Sequence, residues 1–139
     1  MKQAVMEAAK QFCLTILSAS IEEGDAKGKS FYGAAVSLYE NDAEHTWYLF
    51  FKRDTLNTIA QNLLFEDNLC EDDLDDLLKE VSNQIIGSAK VLLEQQNPHH
   101  TYQISVPEFM GNVTEPFPVQ LEETLCLQVN DKTFVIGRR

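Results

Sequence analysis

Apolar and polar positions along the chain follow two rhythms, and the slower one is longest in DDLDDLLKEVSNQIIGSAKVLLEQQ. There Leu74, Leu78, Val81, Ile85, Ser88 and Leu92 recur at steps of four and three residues, the period of an amphipathic helix with one buried stripe. The spacing predicts a helix from Asp72 to about Gln96. At about 100° per residue, Asn83 falls opposite the stripe, and Glu80 and Gly87 lie within about 60° of it. A carboxylate, a carboxamide and a glycine therefore share one solvent-facing surface. The glycine is the unexpected member, since mid-helix glycine costs about 1 kcal/mol relative to alanine. Close approach of another molecule is a physical reason to keep it.

The same rhythm in Val5, Ala9, Phe12 and Ile16 predicts a first helix over residues 2–18. EEGDAKGKS then reads as a polar loop. Phe31 to Tyr39 and the aromatic-rich HTWYLFF, His45 to Phe51, read as strands of a hairpin turning at Asn41-Asp42. Asp54 caps a helix through Phe65 whose face is Leu56, Ile59, Ala60 and Leu63. The acidic run Glu66 to Asp76 places negative charge where the next helix begins, which the macrodipole favours. Pro98, His99 and His100 end that helix. Thr101 to Val106 alternates as a strand and Pro107 closes it, while Gly111 to Pro118 reads as a loop. Residues 120–129 and 132–136 form a second hairpin around Asn130-Asp131. The expected fold class is α/β: a single domain with a largely antiparallel sheet, undivided by repeat or linker, and long enough at 139 residues for a real core.

Charge narrows the function classes. A net charge of −11, from 11 basic and 22 acidic residues, argues against nucleic acid and against an anionic membrane, both of which demand a basic surface. No apolar run has the length of a transmembrane helix. Glu7 and Lys10 interrupt the opening segment, which makes it an amphipathic helix and not a signal peptide. Cys13, Cys70 and Cys126 are odd in number, far apart and form no CxxC, the usage of reduced thiols in a cytoplasmic protein. Cys13 and Cys126 sit in apolar patterns and read as small core residues.

Several motifs fail on context. GDAKGKS lacks the first P-loop glycine, because Glu23 stands there, and it precedes a strand instead of joining a strand to a helix. Asn112-Val113-Thr114 matches a glycosylation sequon that means nothing without secretion. His99 and His100 have no Cys or carboxylate cluster at metal-ligand spacing. Glu94 and Asn97 repeat the Glu80/Asn83 spacing, but Asn97 precedes Pro98, a position biased away from helix.

Glu80 and Asn83 are one helical step apart and project together. Asparagine neither titrates nor attacks, so they are no nucleophile–base couple. A carboxamide can accept a hydrogen bond from water while donating one to a phosphoryl oxygen. Placing a water in line is the main protein task in phosphoryl hydrolysis. The chain has no visible phosphate cradle or magnesium site, so such a reaction would borrow both from a partner.

EVSNQIIGSAK resembles the ExxN…G…K helix of the CheC/CheX/FliY family of chemotaxis phosphatases. Its flanks, including YQISVPEFMG, resemble the order in CheX, and the resemblance runs from about Phe31 onwards. CheX is the nearest match, since one motif helix is present and there is no room for a flagellar-switch domain. The resemblance implies a sheet packed by two long helices, here Asp54–Phe65 and Asp72–Gln96. It implies an enzyme that removes phosphate from the aspartyl-phosphate of a CheY-type response regulator, and a homodimer. Asn83 would orient the attacking water and Glu80 would contact the receiver's lysine. Asp76, Gly87 and Lys90 would be partner-contact positions, with Gly87 leaving room for the docked surface. The chain would need no cofactor of its own, the Mg2+ belonging to the receiver. A non-catalytic module of the same fold, binding a receiver or a flagellar switch component, and a metal enzyme built on His99 and His100 are the alternatives.

Overall fold

A computed structural model of the protein describes residues 1–17, 22–23, 30–63, 70–114, 121–129 and 132–139. Its helices are α1 (Lys2–Leu17), α2 (Arg53–Leu63) and α3 (Glu71–Gln96). Its strands are β1 (Glu22–Glu23), β2 (Ser30–Glu40), β3 (Ala43–Phe51), β4 (Tyr102–Ile104), β5 (Glu108–Thr114), β6 (Glu123–Val129) and β7 (Lys132–Arg138). They form one sheet in the order β1-β6-β7-β3-β2-β4, with β5 also on β2. Every pairing is antiparallel.

The β2–β3 hairpin turns at Asn41, whose φ of 53° lies in the left-handed region that asparagine tolerates. From Trp47 to Phe51 five consecutive residues of β3 are buried. Trp47, Leu49 and Phe51 join the core shared with the helices, while Tyr48 and Phe50 pack with Phe31 and Val135 on the opposite face. A strand buried on both faces reads as an apolar run, which is why HTWYLFF does not alternate. Phe50 lies across its register partner Gly33, where a Cβ would come within 2.9 Å of the ring.

On α3, Leu74, Leu78, Val81 and Ile85 are fully buried as expected. The expected stripe then fails: Ser88 is exposed and Leu92 half-buried, and the buried line continues through Ala89 and Leu93. Val81, Ile85, Ala89 and Leu93 are one row at steps of four, and such rows incline about 26° to a helix axis. The long partner of α3 is α1, of 16 residues, and not α2, of 11. Ala4, Ala8 and Ala9 are buried on α1 and let the two backbones approach closely.

Three expectations are corrected on the strands. The segment from Glu22 read as a loop contains β1, which pairs with Gln128 and Leu127 of β6; residues 24–29, with the P-loop-like segment, lie outside the described residues. The strand expected over Thr101–Val106 stops at Ile104. The loop expected from Gly111 is strand β5 as far as Thr114, and residues 115–118 are not among those described. Gly111, with φ of 80°, sits at a register shift opposite Gly33/Ala34. Turn-type residues at a bulge imitate a loop in sequence. The Asn130-Asp131 turn also falls outside the described residues.

Candidate functional site

Two strands share one edge of β2, and the gap between them makes the site. Leu38 pairs with Ile104 and Ala35 with Glu108, so two residues of β2 face three: Ser105, Val106 and Pro107. Proline has no N–H for the ladder. Ser105 holds the gap in place: its N–H donates to Ser37 O at 2.9 Å, and its Oγ accepts the Ser37 N–H at 2.9 Å. The gap faces the first half of α3. Asp76, Lys79, Glu80 and Asn83 form one wall of an open groove of about 400 Å³, and Ile104, Ser105, Val106 and Pro107 form the other.

Asp76, Glu80, Asn83, Gly87 and Lys90 follow one another at steps of four and three, so they line one polar stripe of α3. Asp76, Glu80 and Asn83 are exposed, Gly87 and Lys90 half-buried. Of the five, the groove takes in the first three. Glu80 Oε1 accepts a hydrogen bond of 2.9 Å from Gln84 Nε2. Lys79 lies 3.4 Å from Asp75, and among the described residues Glu80 has no cationic partner. The Asn83 carboxamide likewise has no hydrogen-bond partner among them. Lys90 Nζ is 3.3 Å from Glu94 Oε1, so its charge is engaged within the helix. A Cβ at Gly87 would meet nothing within 4 Å. The packing of the described residues does not require that glycine.

The repeated spacing at Glu94 and Asn97 is structural. Asn97 caps α3, its N–H and Nδ2 both reaching Leu93 O, and Nδ2 also donates to the Tyr102 hydroxyl at 3.2 Å. The Tyr102 hydroxyl donates in turn to Glu40 Oε2 at 2.6 Å, and His100 Nδ1 lies 3.3 Å from the same oxygen. That tyrosine bond first, and His100 second, hold the Glu40 carboxyl below its ordinary range. Burial, reinforced by Glu40, pushes the Tyr102 hydroxyl up. His100 is thus a partner of Glu40, and among the described residues no three His, Cys, Asp or Glu side chains gather to hold a metal.

A larger cavity, of about 720 Å³, lies between the start of α1, the end of α3 and strands β3, β6 and β7. Within it Arg138 donates from Nη1 to His45 Nδ1 at 2.8 Å and lies 3.4 Å from Glu123, while Glu40 accepts from Tyr102. The cysteines lie outside the groove. Cys13 is buried, which pushes its thiol up to about 12, while Cys70 is exposed and donates to Asp73 at 3.2 Å. No helix among the described residues is long and apolar enough to cross a membrane. Sequence reasoning identified the helical wall of the groove but not the wall at Ser105–Pro107. Its one signal is an apolar Val106 set between a serine and a proline.

The sheet order and the helices laid on it match the CheC/CheX-like fold. Residues 32–128 match the family model described as Chemotaxis phosphatase CheX, and the chain belongs to that family. Three solved structures place the likeness. A chemotactic CheC-like protein from Shewanella oneidensis MR-1 is 16% identical with a TM-score of 0.77, over 98% of this chain and 94% of that one. Chemotaxis protein CheX from Vibrio vulnificus is 12% identical with a TM-score of 0.79, over 97% and 95%. A chain of the CheX-CheY-BeF3-Mg2+ complex from Borrelia burgdorferi is 18% identical with a TM-score of 0.69, over 99% and 96%. At such identities the likeness is one of fold. Among curated proteins no sequence match is found.

Proposed function

We propose that this chain is a chemotaxis phosphatase that hydrolyses the aspartyl-phosphate of a CheY-type response regulator. One observation carries the reading: the Asn83 carboxamide, unpartnered among the described residues, and the Glu80 carboxylate project from one stripe of α3 into an open groove. Family membership supports it, as does the capture of CheY by the Borrelia CheX relative. Asn83 Oδ1 accepts a hydrogen bond from water and Nδ2 donates to a phosphoryl oxygen, which sets the water opposite the aspartyl oxygen. The water oxygen bonds to phosphorus as the P–O bond to the receiver's aspartate breaks. Inorganic phosphate and a free carboxylate result. A loose phosphoryl transition state asks little of a base, so a neutral amide suffices. Glu80 pairs with the receiver's active-site lysine and fixes the approach. The receiver's Mg2+ supplies charge neutralisation for the phosphoryl oxygens, so the chain needs no cofactor of its own.

In this reading Asp76, Gly87 and Lys90 flank the reacting pair as partner contacts. Residues 1–139 act as one CheX-like domain, cytoplasmic and homodimeric. The test is the decay of a phosphorylated receiver, with binding measured in parallel. The wild type should speed decay, and Asn83→Ala should abolish the acceleration while still binding. A wild type that binds the receiver without speeding decay would instead be a non-catalytic binding module.

A further inference from the structure

We propose that Val106 is an apolar docking lip that buries itself against a hydrophobic side chain on the receiver, beside the phosphorylated aspartate. The proposal rests on the receiver-phosphatase reading above. At 83% exposure Val106 is the most exposed large hydrophobic residue among those described, ahead of Leu14 at 59% and Val91 at 51%. It is not on a loose loop. The two hydrogen bonds between Ser105 and Ser37 pin the residue before it, and Pro107, the residue after it, restricts its backbone to extended conformations. An extra residue against β2 turns Val106 out of the ladder and into the groove shared with Asn83.

Geometry then names the occupant. An aspartyl-phosphate is presented by a protein surface, and a specific interface covers about 800 Å² on each partner. The two walls stand across a single groove of about 400 Å³, so a surface that delivers phosphate to Asn83 also covers Val106. The walls differ in chemistry. α3 contributes Asp76, Lys79, Glu80 and Asn83, while Ile104, Val106 and Pro107 bring no charge. Such a lip favours apolar surface only. Glu80 and Val106 therefore read two features of one receiver: a cation at the phosphorylation site and an apolar neighbour.

The test measures Kd, KM and kcat for one phosphorylated receiver with wild type, Val106→Ser, Val106→Leu, Asn83→Ala and Glu80→Gln. Each is assayed at low and high ionic strength. Val106→Ser should raise Kd and KM about tenfold, as loss of one buried aliphatic side chain does, and leave kcat at saturation unchanged. Val106→Leu should restore binding. The Val106 effect should persist in salt, while the contribution of Glu80 is screened. Thermal stability should stay at the wild-type value, because the side chain is exposed. A Val106→Ser protein within twofold of wild type in Kd, beside an active wild type, overturns the docking lip and leaves the phosphatase reading standing. A wild type that neither binds the receiver nor speeds its decay overturns both.

Discussion

Gln84 Nε2 holds Glu80 Oε1 at 2.9 Å, one turn back along α3. The carboxylate proposed to meet the receiver is therefore oriented before any partner arrives. An exposed pair at this helical spacing is worth about 0.2–0.5 kcal/mol, or roughly twofold in affinity. Gln84→Ala should weaken receiver binding by about that factor and leave saturated turnover alone. A tenfold loss in a binding titration would mean that Gln84 itself touches the receiver.

Gly87 separates stability from docking. Its missing Cβ would meet nothing within 4 Å among the described residues, so Gly87→Ala should stabilise the isolated protein by about 1 kcal/mol through helix propensity. The same methyl group should impair receiver binding, since it stands on the face proposed to dock. Denaturant melts and binding titrations on the one variant check both signs. A variant that is more stable and binds as well as wild type removes Gly87 from the interface.

Acid should weaken the end of α3. Glu40 accepts from the Tyr102 hydroxyl at 2.6 Å and lies 3.3 Å from His100, and its carboxyl is held below its ordinary value of 4.5. A depressed carboxyl contributes stability above its unfolded pKa and loses it as pH falls through the folded one. Glu40→Gln should therefore be less stable than wild type at neutral pH, and the gap should close in strong acid. Thermal melts across that range read the difference directly.

The thiols should divide by burial. Cys13 is buried with its thiol pushed up to about 12 by desolvation, whereas Cys70 is exposed. Since the thiolate is the nucleophile, an alkylating reagent at neutral pH should modify Cys70 first and spare Cys13 until the chain unfolds. Peptide mass mapping with and without denaturant distinguishes the two. Early labelling of Cys13 would show that α1 opens readily from α3.

Gly33 is constrained where Gly87 is not. A Cβ there would stand 2.9 Å from the ring of Phe50, itself fully buried. Gly33→Ala should cost about 1–3 kcal/mol, the usual range for overpacking a core. A chemical melt measures the loss, and a neutral result would mean that the Phe50 ring can move aside.

Much of α3 is legible in the chain alone, because a helix of fixed period sorts its residues onto faces before any neighbour is known. Leu74, Leu78, Val81 and Ile85 fall inside and Glu80 and Asn83 fall outside on that ground. The run Trp47 to Phe51 likewise reads as a strand in the chain alone, though its burial on both faces is seen only in the structure. Period says nothing, however, about how one element crosses another. The buried line leaves Ser88 for Ala89 and Leu93, a choice made by the neighbours the helix packs against.

The groove depends on register, which no local pattern encodes. Val106 lines the same groove as Asn83 because β2 pairs with two separate strands and leaves three residues opposite two. That mismatch, and the Ser105–Ser37 bonds that hold it, exist only once distant segments have aligned. The chemistry of the polar stripe is a property of the helix. The wall it faces is a property of the assembled sheet, because hydrogen bonds between strands join residues far apart in the chain.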